Sequence, residues 1–394
     1  MSSLTLWQNA LEARQGSAVR LDAEWENILK AIYFGLPIEE AWPSLYRIVR
    51  KLSPYMERRG LWETWQEVLE QVIQAARQMG DEVGETRLTF LLARLLFRQK
   101  RFPEAIHFYR RTLRLARQIG DWESEGRVCS NLGYYYAGRD FWQRAEVLCC
   151  HALDIFRHLN HRHGLAHTHL HLGWLYFRQR RWQEAHRHLK AACAIWQAMG
   201  DDHGLMRGFN HLGLLFIETA RPEPALHHLE AALQLARRTG EESLTATLYL
   251  NLALAHNRLT NRYEEAERYA RQAEAIYHRY SDREGQARAW GVLGIACLYQ
   301  GKTEEARRLL ANALAQWRTL HHPYGEMDAL LDLVEYDLVA GNGEEAARRL
   351  QEAEILLRRP AYSHLNHQFE FRLEEYRRRL LGSEVRQTAA MEVG

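Results

Sequence analysis

Apolar and polar positions recur in this chain with the period of a helix, and the helical blocks themselves recur about every 40 residues. Within 164–178, Leu165, Leu172, Leu175 and Tyr176 fall mostly on one helical face. Within 182–199, Ala185, Leu189, Ala192, Ile195 and Trp196 form a second apolar stripe, and Gln179, Arg180 and Arg181 make the turn between the two. The same phase runs down the sequence. A small residue opens each repeat (Ala93, Gly133, Gly173, Gly213, Ala253, Gly294, with Val334 last), and an alanine follows at Ala105, Ala145, Ala185, Ala225, Ala266, Ala306 and Ala346. The spacing is twelve residues except before Ala266, where one residue is inserted. Glycine–acid pairs (Gly80-Asp81, Gly120-Asp121, Gly200-Asp201, Gly240-Glu241) stop one helix and start the next. An aromatic three residues before the alanine (Phe102, Trp142, Trp182, Tyr263) is expected to plug the turn end of each hairpin. One helix-turn-helix unit repeated in phase predicts an all-α solenoid built by stacking.

These residues carry a resemblance. Asn131, Leu132, Gly133 and Tyr136 followed by Ala145 and Ala152, and Leu172, Gly173 and Tyr176 followed by Ala185 and Ala192, resemble the tetratricopeptide repeat (TPR) in a longer, 40-residue variant without the closing proline. The resemblance implies a right-handed superhelix of helix-turn-helix hairpins over roughly 85–358. Leu21, Glu24, Asn27, Ile28, Ala31 and Ile32 further resemble the helix that opens the TPR sensor region of bacterial signal-transducing (STAND/NB-ARC-type) NTPases. In those proteins the helix follows nucleotide-binding and winged-helix modules, so this chain is expected to be either an excised sensor or a free-standing relative, without the NTPase effector domain. The pattern divides the chain into an N-terminal helical cap (1–40), a degenerate repeat (41–80, with Trp65 where the alanine belongs), seven repeats (81–358), a C-terminal capping helix (361–382, following Pro360) and a tail (383–394) expected to be disordered.

Composition narrows the function. Lys and Arg number 52 against 50 Asp and Glu, a net charge of +2, so nucleic acid is not expected as the main partner. No run of 18 apolar residues exists, so no membrane span is expected. Cys129, Cys149, Cys150, Cys193 and Cys297 fall within helical blocks, an odd number that reads as reduced core thiols of a cytoplasmic protein. Gly301-Lys302-Thr303 lacks the earlier glycine and the preceding strand of a phosphate loop. The histidines between His158 and His171 include i, i+4 pairs, but no carboxylate or thiol stands at ligand spacing. No catalytic constellation, metal or cofactor is expected.

By the resemblance, the first helix of each repeat lines a concave groove. Register from the small residue then places Arg87, Arg94, Arg127, Asn131, Tyr134, His167, His171, Trp174, Arg178, Arg207, His211, Asn251, Arg258 and Arg288 on that face, and Asp328, Asp332 and Glu335 at an acidic end. Arginines suit carboxylates or phosphates bidentately, and asparagines suit a peptide backbone. The sequence therefore predicts a non-catalytic scaffold that binds a protein or peptide segment, with an acidic one favoured by the arginines, as the sensor or adaptor part of a bacterial signalling system. The alternative is an assembly module that self-associates through its N-terminal region or its convex face, prompted by Trp25, Trp42, Trp62 and Trp65.

Overall fold

The computed structural model describes residues 18–239, 241–260, 262–359, 362, 365 and 369–381. Residues 1–17 of the expected cap, the stop at Gly240, the helix end at Pro360, part of the 361–382 helix and the 383–394 tail lie outside them. The described residues hold helices and turns and no strand. The helices gather into two compact bodies, Met1–Gln179 and Arg180–Gly394.

In the first body α1 (Ala18–Gly35) leads through a short turn to α2 (Trp42–Arg59) and α3 (Trp62–Gln78). The hairpins α4 (Glu82–Arg98) with α5 (Phe102–Ile119), and α6 (Trp122–Ala137) with α7 (Trp142–His158), follow, and α8 (Arg162–Arg178) closes it. The second body comprises α9 (Trp182–Met199), α10 (Asp202–Glu218), α11 (Pro222–Thr239), α12 (Glu242–Ala255), α13 (Tyr263–Arg279), α14 (Arg283–Tyr299), α15 (Thr303–Thr319), α16 (Pro323–Val339) and α17 (Gly343–Leu357). A last helix, α18, runs over 369–381. Each helix packs on its chain neighbour within its body, and the first helices of successive hairpins also lie side by side. The fold is an all-α repeat solenoid.

The repeat positions are what bring the helices together. Ala93, Ala253 and Val334 are fully buried, as is every alanine of the second series from Ala105 to Ala346. At Gly133 an added Cβ would fall 2.4 Å from Cys149 Sγ and 3.1 Å from the Ala145 carbonyl oxygen, so only glycine admits this approach. In the α2–α3 hairpin only the alanine position changes: Trp65 stands there fully buried and its indole N–H donates to Ser53 Oγ, the small partner, at 3.1 Å. The aromatics meet at the turns, Phe97 on Phe102 at 5.2 Å and Tyr263 stacked on Tyr299 at 5.0 Å. The inserted residue before Ala266 is absorbed by a π-helical turn, His256–Thr260, that ends α12.

Two expectations change. Four cysteines are buried, but Cys150 is exposed. The N-terminal tryptophans do not form an exposed patch: Trp65 is in the core, Trp42 donates to Asp81 Oδ2 at 2.9 Å, Trp62 to the Glu57 carbonyl at 2.9 Å, and Trp25 is half-buried. No helix of the described residues is long and apolar enough to cross a membrane.

Candidate functional site

The residues picked out by register stand on the first helices, save Arg258 in the π-helical turn that follows one, and six of them (Arg87, Arg94, Arg127, Arg178, Arg258 and Arg288) are tied to carboxylates. In the first body, α4 presents Arg87, then Arg94 two turns on and Arg98 one turn further. Arg87 pairs with Asp121 at 2.9 Å, at the start of the next repeat. Arg94 and Arg98 converge on buried Glu57 of α2, at 2.5 and 3.1 Å. On α6, Arg127 pairs with Glu123 at 2.6 Å and lies 6.0 Å from the Phe90 ring centroid. Arg50 of α2, 5.3 Å from the Tyr46 ring, completes the group.

Among the described residues four guanidiniums (Arg87, Arg94, Arg98, Arg127) pair with three carboxylates (Glu57, Asp121, Glu123), and Arg50 adds a further positive charge that acts on Arg127. The surplus is felt at Arg127. Burial pushes its guanidinium down from the usual arginine range; Glu123 opposes this, and the charges of Arg94, Arg50 and Arg87 deepen the fall. At Asp121 burial alone would raise the carboxyl, yet the hydrogen bonds from Arg87 and Ser124 hold it low. A half-buried site with excess positive charge and forked donors suits an anion with several oxygens.

Beside this cluster the side chains turn aromatic. Tyr134 of α6 packs on His171 at 4.9 Å and on Trp174 at 6.4 Å, both on α8, and Trp174 stacks on Phe177 at 5.4 Å. Arg178 reaches Asp140 at 3.0 Å. His167 neighbours both His163, at 4.5 Å between rings, and His171, at 6.4 Å.

Several expected contacts are spent within the protein. His171 is only 5% exposed, with Nδ1 at 3.0 Å from the Ser130 carbonyl. Asn131 donates to the Arg127 carbonyl at 3.1 Å. In the second body, buried Asn251 donates to Asn210 Oδ1 at 2.7 Å, joining α12 to α10. His211 Nδ1 bonds the Arg207 carbonyl at 2.9 Å, and burial pushes the imidazole down to about 4. Arg258 pairs with Glu218 at 3.1 Å and Arg288 with Glu284 at 2.5 Å.

At the expected acidic end the three carboxylates are paired within the protein. Asp328 and Asp332 both receive Arg372 of α18, at 2.6 and 2.8 Å, and Glu335 receives Arg379 at 2.6 Å and the Tyr299 hydroxyl. Those acids are paired with arginines of the last helix, Asp328 remaining 41% exposed. Register follows helical geometry and so groups residues of one helix face. Register does not reveal the partners, because Glu57, Asp121 and Arg372 come from neighbouring elements 34–44 residues away in sequence.

Comparison with known proteins bears on the fold. The tetratricopeptide repeat pattern matches residues 91–119, 124–198 and 204–279. No curated protein sequence matches the chain. Among solved structures, a signal transduction ATPase with numerous domains (STAND) bearing a tetratricopeptide repeat sensor, from Pyrococcus horikoshii, superposes with a TM-score of 0.52 at 16% identity. That match covers 91% of this chain and only 55% of the other, so the chain spans about half the length of the STAND protein. The apo quorum sensor NprR from B. thuringiensis gives 0.59 at 15% identity, covering 90% and 97% of the two chains. A Rap protein complexed with competence and sporulation factor gives 0.54 at 16%, covering 84% and 98%. At these identities the likeness is one of fold, and the matched segments show that the chain carries tetratricopeptide repeats between residues 91 and 279.

Proposed function

We propose that the chain is a binding module for a protein or peptide segment, and that the arginine cluster of the first body grips acidic side chains or a terminal carboxylate of that segment. The observation that carries this reading is the convergence of positive charge on Arg127, whose guanidinium is pushed down by burial and by the charges of Arg94, Arg50 and Arg87. Tyr134, Trp174 and the stacked Phe177 flank the cluster with apolar surface, which gives an extended segment somewhere to lie beyond its charged residue. Repeat scaffolds with separate structural and face-lining positions commonly bind this way. Support for a signalling role comes from the fold likeness to the STAND, NprR and Rap proteins, and we place the module as a sensor or adaptor in a bacterial signalling system.

The test is binding of the full chain to an array of Asp/Glu-rich peptides and their amide-substituted counterparts. Replacing Arg94 and Arg127 with Glu is expected to weaken acidic-peptide binding by about ten- to a hundredfold, the value of one or two charge-assisted hydrogen bonds. Binding should also weaken steeply with added salt. Equal retention of acidic and amide peptides by the native protein would defeat the reading.

A further inference from the structure

The first body holds a second constellation apart from the arginine cluster. On α6, Glu125 and Cys129 stand one helical turn apart, and His151 meets them from α7. One donor atom from each lies within 4.8 Å of the other two, and His151 Nε2 is 3.1 Å from Glu125 Oε1. Cys129 and Glu125 are buried and His151 is exposed, so the trio is rooted in the core and opens to solvent. Carboxylate, thiolate and imidazole are the donors zinc takes. Bonds of about 2.0–2.3 Å in a tetrahedron set donors roughly 3.5 Å apart, so the trio needs to close by roughly an ångström.

The repeat supplies an internal comparison. One repeat earlier, Glu85 occupies the register of Glu125 and receives two guanidiniums, Arg77 and Arg111, each at 2.7 Å. Glu125 keeps the first of these, Arg117 at 2.9 Å in the Arg77 register. In place of Arg111 stands His151, and in place of Thr89 stands Cys129. A permanent positive charge has been exchanged for two metal-binding donors, both aimed at the same buried carboxylate. Further along the chain, Glu326 pairs with Arg318 at 3.0 Å, which marks the arginine–glutamate pair as a recurring brace.

We propose that Glu125, Cys129 and His151 form a binding site for a divalent transition metal, with zinc the fitting ion and a fourth position left for water. Cys129 binds as thiolate, releasing its proton to solvent, and the ion takes the place of the missing guanidinium. This site stands independently of the peptide-binding reading. The sequence expectation of no metal weighed the histidines of 158–171, whereas this trio is legible only when two repeats are laid over each other.

Titrating the full chain, kept reduced, with cobalt(II) as a visible stand-in for zinc tests the site. The expected result is one equivalent bound per chain with a thiolate-to-cobalt charge-transfer band, bleached on adding zinc. Cys129→Ser should abolish that band. His151→Arg copies the preceding repeat and so keeps the carboxylate paired and the fold intact; it should abolish binding as well. No thiolate band in the native protein at stoichiometric micromolar cobalt, or a band that survives either substitution, overturns the proposal.

Discussion

At the scale of single residues, burial decides which of the register positions are chemically available. His211 is the sharpest case. Its imidazole is driven down to about 4 by burial, against an unfolded value near 6.5, while its bond to the Arg207 carbonyl opposes the fall. A histidine with a depressed value is neutral in the fold and protonates more readily when unfolded. Its contribution is therefore constant above about pH 6.5 and is lost as pH falls through that value towards 4. His161, His186, His228 and His256 are displaced in the same direction, burial being the first cause in each, so they add to the same acid slope. Urea unfolding at pH 7.5 and 5.5 should show the native protein losing stability, with His211 supplying on the order of 1 kcal/mol after allowance for its partly exposed ring. His211→Asn, which preserves a donor for the Arg207 carbonyl, should shrink the difference. An unchanged difference in the variant would show that His211 titrates normally.

At the scale of the element, the hairpin turns show what the 40-residue pattern determines and what it leaves open. Every described turn between repeats places one residue in the left-handed region: Gly80, Gly120 and Gly200 do so freely, and Asn160, Ser281 and His321 do so at some cost. Within the hairpins Gly301 and Gly341 hold this position, but Lys100, Asp140, Arg180 and Ala220 hold it too. Ala220, at φ 52°, has no side-chain hydrogen bond to compensate, so Ala220→Gly is expected to stabilise the protein by about 0.5–1 kcal/mol. A urea midpoint unchanged or lowered would contradict that. Helix starts were legible as glycine–acid pairs, yet their working unit is longer. The first residue caps the amide of the residue three on, as Asp201 does for Gly204 at 2.9 Å and His161 for Gly164. That glycine in turn admits the large side chain of the preceding helix: a Cβ on Gly204 would sit 2.3 Å from the Trp196 indole nitrogen. Where the preceding helix offers only Ala116, the capped residue is Ser124. Helical periodicity alone does not reveal this lock, because its two halves belong to different hairpins.

At the scale of the whole chain, what ends the stack decides what the last repeat exposes. Asp328, Asp332 and Glu335 were legible as one acidic face of α16; that the face is paired was not, since the pairing arginines sit on a polar helix outside the repeat. Arg372 lies in the register that an asparagine or histidine fills between earlier first helices, as Asn251 does against Asn210. Meanwhile Phe369, Leu373, Tyr376 and Leu380 join the core of the second body. The helix thus continues the stack with its apolar side and neutralises the acids with its arginines. Burial and the charge of Asp328 push the Asp332 carboxyl up, and Arg372 works against both. Replacing Arg372 with Met keeps the stem but leaves two adjacent carboxylates uncompensated. Breaking a buried pair costs about 3–5 kcal/mol; with Asp328 41% exposed, a loss of about 2 kcal/mol is expected at pH 7.5. The deficit should shrink at pH 5, where protonation of Asp332 removes one of the two charges, and adding Asp332→Asn should recover much of it at neutral pH. Chemical denaturation of the three proteins at both pH values measures this directly. A single variant as stable as the native chain would mean that α18 caps the stack by its apolar side alone.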